Sequence, residues 1–100
     1  MSRKVSRQAG DVFPLSLAAK GDAGVIVRVG ADDVGQGLHR TELERRLLEM
    51  GFVEGAKVRV LHEGFIGRDP IAVQLDDMRV ALRRREAADV LVRRNGAAHD

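Results

Sequence analysis

The spacing of apolar positions along the chain changes period several times, and each change marks an element. Gly24-Val25-Ile26-Val27-Arg28-Val29 is β-branched and bounded by glycine, which predicts a strand with Val25, Val27 and Val29 on one face. Lys57–Glu63 predicts another, with Val58 and Val60 on one side and Lys57, Arg59 and Glu63 on the other. In Pro70–Leu75, Ile71, Val73 and Leu75 alternate with Ala72 and Gln74, and Pro70 stands at a strand start, where no ladder donor is needed. Met78, Val80 and Leu82 alternate in the same way with Arg79 and Ala81. The two residues between these runs, Asp76-Asp77, predict a tight hairpin. Polar Arg83–Asp89 fits one helical turn, and Val90-Leu91-Val92 a closing strand.

Between the first two strands the period becomes helical. Leu43, Leu47 and Met50 share a stripe that Leu48 widens, and Thr41 with Glu44 forms a capping-box pattern. Gly51 supplies the left-handed residue that closes a helix, and Phe52 follows where a side chain folds back onto the last turn near Leu47. Gly30–Gly37 reads as a flexible loop. The resulting fold is mainly β: a small five-stranded barrel, with a helix inserted at about 41–50 and a short helical turn before the last strand. Residues 1–12 read as a disordered basic lead-in, 13–92 as the domain, and 93–100 as a disordered tail. At this size burial only narrowly offsets the ordering of the chain, which leaves room for a partner or a weak homo-oligomer.

Composition narrows the chemistry. No cysteine is present, so disulfides, thiolate metal sites and thiol nucleophiles are excluded together. No apolar run follows the N-terminal Arg3, Lys4 and Arg7, and none elsewhere has transmembrane length, so the expectation is a soluble cytoplasmic protein. The formal net charge is +2, but Asp11–Val92 holds 12 Lys and Arg against 14 Asp and Glu. The excess basicity then belongs to the ends, and no basic face for nucleic acid is expected. Ser2, Ser6, Ser16 and Thr41 are the only hydroxyl nucleophiles, with no histidine beside any of them, so no enzyme is expected. Gly35-Gln36-Gly37 matches neither a Walker loop nor a dinucleotide fingerprint. His39, His62 and His99 share no i, i+3 or i+4 spacing, so no metal site or cofactor is assigned, and weak divalent-metal binding stays open. Arg83-Arg84-Arg85, followed by Glu86 and Asp89, reads as a solvated charge cluster.

Four pieces in order carry a resemblance. They are Leu15-Ser16-Leu17 with Gly21 and Gly24; Leu47-Leu48-Glu49-Met50-Gly51-Phe52-Val53-Glu54-Gly55; Gly67-Arg68-Asp69-Pro70-Ile71; and Arg79-Val80-Ala81-Leu82-Arg83-Arg84. Over about Phe13 to Val92 the chain resembles the ferrous-iron transport protein A (FeoA) family. It departs at Glu54, where the family often has proline, and at Arg68, which lengthens a turn. The resemblance implies an SH3-like barrel in the cytoplasm, accessory to a FeoB-like membrane transporter and bound to its GTPase part. The same barrel ends metal-dependent repressors, but no helix-turn-helix pattern precedes Phe13. A small-barrel nucleic-acid binder and a free-standing metal sensor are the alternatives. The expected partner surface is the helix end and adjoining turns: Met50, Gly51, Phe52, Glu54, Gly55, Gly67, Asp69 and Pro70, with the Phe52 ring at the barrel mouth.

Overall fold

The computed structural model describes residues 10–30 and 42–95. The Thr41 cap, most of the glycine-rich loop, His39, His99 and most of the lead-in and tail lie outside the described residues. In chain order the elements are β1 (Val12–Pro14), a 3-10 turn (Leu15–Leu17), β2 (Ala23–Val29), α1 (Glu42–Met50) and β3 (Lys57–Glu63). They continue with β4 (Ile71–Leu75), β5 (Met78–Leu82), a second 3-10 turn (Arg84–Asp89) and β6 (Val90–Arg94). All strand pairs are antiparallel, in one sheet ordered β1-β6-β2-β3-β4-β5.

The mainly-β plan is as expected, with six strands rather than five among the described residues. The sixth is β1, whose Val12 and Phe13 lie opposite Arg93 and Val92. Three residues ending in proline carry no alternation, so only the partner strand reveals it. Pairing also draws in residues read as flanks: Val12 is in β1, and Arg93 and Arg94 are in β6. Arg94 is held at 2.9 Å by Asp22, and its guanidinium lies 4.3 Å from the centre of the Phe13 ring.

The α1 terminus follows the sequence closely. The Gly51 N–H donates to the Leu48 carbonyl at 3.1 Å and the Phe52 N–H to the Leu47 carbonyl at 3.0 Å, the bond pair of a Schellman stop. Gly51 has φ 110°, which a β-carbon disfavours. Asp76-Asp77 turns between β4 and β5 with Leu75 opposite Met78. In β2 the parity is reversed. Gly24 and Ile26 face the core, while Val25 and Val27 are half-buried on the outer side. An irregularity between Ile26 and Arg28 then turns Val29 back onto the core.

One hydrophobic core unites the elements. Val58, Val60, Ile71, Val73, Leu75, Leu82, Val90 and Val92 enter from the sheet, and Leu47 and Phe52 from α1 and its stop. Leu15 and Ala87 enter from the two 3-10 turns, which pack on each other.

Candidate partner-docking surface

The connection from β3 to β4 has a tied base and a free tip. At its base the Gly64 N–H donates to the Pro70 carbonyl at 2.8 Å, and Gly64 faces the Asp69 carbonyl so closely that a β-carbon would collide with it. Gly67 and Arg68 both take left-handed backbone angles, φ 68° and 59°. These turn the chain sharply and leave Phe65 and Ile66 projecting, at 105% and 88% relative exposure. Leu17, on the first 3-10 turn, is 74% exposed. Leu17, Gly67 and Arg68 line one cleft of about 310 Å³, with Ser16, Ala18 and Arg84.

Arg84 organises this cleft. Its Nη1 donates to the carbonyls of Ser16 and Ala18 at 2.9 and 2.7 Å, and its Nε to the Arg68 carbonyl at 2.8 Å. Its Nη2 meets Glu63 Oε1 at 3.1 Å, and its backbone N–H donates to Asp69 Oδ1 at 2.9 Å. Glu63 in turn accepts the Lys20 N–H at 2.7 Å. One planar fork therefore joins the first 3-10 turn, the end of β3, the β3–β4 loop and the second 3-10 turn. The Arg83–Arg85 run thus contains a structural clamp at Arg84, while Arg83 and Arg85 are solvated. The arrangement offers preformed apolar side chains on a rigid base, a geometry suited to docking.

The residues expected at a partner surface fall into two places. Phe52 requires correction: it is 0% exposed, packed in the core, because the Schellman stop folds its backbone back against Leu47. Met50 packs partly buried against the same core. Gly51 approaches Leu75 and Met78, at the turn end of the β4–β5 hairpin, and Glu54 and Gly55 are exposed beyond it. Gly67, Asp69 and Pro70 stand at the Ile71 end, about 14 Å away along β4 at strand rise. The helix end and the loop are thus separate regions. Leu17, Phe65 and Ile66, exposed apolar side chains, were not among the candidates read from the sequence. The available signal was two large apolar residues between Gly64 and Gly67, in a segment with neither strand nor helix period.

Among the described residues no three His, Asp or Glu side chains cluster as metal ligands do, and no helix is long and apolar enough to cross a membrane.

Comparison with known proteins adds a lineage to this geometry. The FeoA domain model matches residues 13–94. The chain belongs to the FeoA domain family. A curated relative from Porphyromonas gingivalis, an Fe(2+) transport protein A/Fe(2+) transporter FeoB fusion protein, is 41% identical over 78 residues. That match covers 78% of this chain but only 8% of the relative, so this FeoA domain corresponds to a small part of a much longer chain. Among solved structures, Stenotrophomonas maltophilia FeoA complexed with zinc, described as a procaryotic SH3 domain protein, is 34% identical with a TM-score of 0.63. The match covers 80% of this chain and 88% of that one. A FeoA crystal structure described as an iron uptake regulatory protein is 28% identical, TM-score 0.65, over 84% of this chain and 99% of the other. The expected SH3-like fold is therefore shown. A manganese-dependent transcriptional repressor shares the fold, with a TM-score of 0.67 at 21% identity.

Proposed function

We propose that this FeoA domain is a non-catalytic cytoplasmic accessory protein of ferrous-iron uptake that docks onto the GTPase part of a FeoB-like transporter. The observation that carries the docking mode is the pair Phe65 and Ile66, held out on a loop that the Arg84 fork fixes from below. A large apolar side chain left in water contributes about 1.5–3 kcal/mol when a partner covers it, and the fixed loop loses little ordering entropy. The fused relative supports the choice of partner, since there an A-type and a B-type protein share one chain.

Calorimetric titration against the soluble part of the transporter tests the reading. The native chain should bind, and Phe65→Asp should weaken binding without lowering the melting temperature. Undetectable binding of the native chain at tens of micromolar, with normal iron uptake in a strain lacking the protein, would overturn it.

A further inference from the structure

The outer face of the sheet, opposite the core, carries a sorted set of charges. Directly opposed residues of antiparallel strands project to the same side, as do residues two apart along one strand. Arg93 opposes Val25, and Val25 opposes Lys57. Two residues along, Ala23 opposes Arg59, Arg59 opposes Gln74, and Gln74 opposes Arg79. Lys57 and Arg59 of β3, Arg79 of β5 and Arg93 of β6 therefore stand on one face of the sheet, with Val58, Leu82 and Val92 of the same strands turned into the core. All four cations are exposed, and none forms an ion pair with a carboxylate among the described residues. The carboxylates nearest in register are those of the Asp76-Asp77 turn. Asp76 Oδ1 there accepts the Lys57 backbone N–H at 3.0 Å. A shallow depression of about 350 Å³ lies beside these residues, bordered by Lys57, Arg59, Gln74, Asn95 and, at its turn end, Asp76.

We propose that this face rests on anionic phospholipid headgroups. Charge complementarity selects an anionic partner. The residues between the cations are Ala23, Val25 and Gln74, with Ala72 and Ala81 beside them, so no large apolar side chain projects among the charges. Among the described residues the face carries no Phe, Tyr or Trp, and His62, opposite Ala72, is its single ring, a sparse platform for stacked bases that disfavours single-stranded nucleic acid. The choice of lipid rests on the reading above, because a domain beside a transporter works next to a membrane. The test nevertheless needs no transporter, so the two readings fail separately.

The experiment is sedimentation of the full chain with vesicles of phosphatidylglycerol and phosphatidylcholine, and with phosphatidylcholine alone, at low and high salt. A cation near an anionic surface contributes about fivefold in partitioning. Binding to the anionic vesicles alone is expected, abolished by high salt. Arg59→Gln with Arg79→Gln should lower it about 25-fold if those contributions add. Arg83→Gln with Arg85→Gln, the same charge change off this face, should lower it by less than about threefold. Melting curves of both variants confirm folding. Equal losses for the two pairs, equal binding to neutral vesicles, or no binding would each overturn the proposal. Tighter binding to a nucleic-acid duplex at the same salt, with the same dependence on Arg59 and Arg79, would assign the face to nucleic acid instead.

Discussion

Two phenylalanines follow a glycine in this chain and meet opposite fates. Gly51-Phe52 closes α1, and the Phe52 ring is sealed inside; Gly64-Phe65 opens the β3–β4 connection, and the Phe65 ring stands wholly in water. The dipeptides are the same, so the difference lies in what the flanking backbone does. After Gly51 the chain is drawn back by the Phe52–Leu47 bond, which points the side chain at the core. After Gly64 the chain runs outward until Gly67 and Arg68 reverse it, so the residues before the reversal form a tip. Phe13 stands between the two cases, half-buried beneath the Arg94 guanidinium. An aromatic residue therefore reports on function here only once its loop geometry is known.

The sharpest way to break this comparison is to truncate both rings. Phe52→Ala should cost about 3–5 kcal/mol in chemical denaturation, through lost burial and the cavity left behind. Phe65→Ala should stay within about 0.5 kcal/mol, as exposed substitutions do. Similar losses for the two would mean that Phe65 packs somewhere in solution. Next in size is Arg84→Lys, which keeps the charge but loses the fork. Bonds to charged groups are worth about 1.5–3 kcal/mol each, and lysine replaces only part of the set, so a loss of about 2 kcal/mol in the same assay is expected. Phe65→Asp should then weaken association with the transporter's soluble part by about 2 kcal/mol, roughly thirtyfold in the titration. Smallest is Phe13→Leu, which keeps an apolar side chain but removes the ring under Arg94. It should cost about 0.5–1 kcal/mol in a melting curve, beyond that of a surface control.

What the sequence made legible was local. The α1 stop is written in Gly51 and the helical stripe before it, and the hairpin in Asp76-Asp77 with alternation on both sides. The parity of β2 was not, because Val25, Ile26 and Val27 are all apolar and alternation cannot choose between faces that are both greasy. β1 was invisible because its only evidence is Arg93 and Val92, some eighty residues away. Charge shows the same limit. The 12 cations and 14 carboxylates of Asp11–Val92 sum to a slightly acidic span. That sum conceals a basic face, since strand register, absent from any count, aligns Lys57, Arg59, Arg79 and Arg93. The expectation of no concentrated positive charge was wrong for that reason. At the candidate site, the Gly67, Asp69 and Pro70 region was legible because turn chemistry is local. Leu17 joined it only through the tertiary bonds of Arg84.

Those bonds also set how the cleft moves. Ser16, Ala18, Glu63 and Arg68 share one guanidinium, and the Arg84 backbone N–H holds Asp69, so none of these segments can loosen while the others stay in place. The first 3-10 turn and the base of the β3–β4 loop, far apart in the chain, then form one cooperative unit for local opening. Their amides should exchange with solvent deuterium at a common rate, while those of the Phe65-Ile66 tip exchange faster and independently. A partner therefore meets Leu17 on a seat fixed by Arg84, and Phe65 and Ile66 on a tip that adjusts to it.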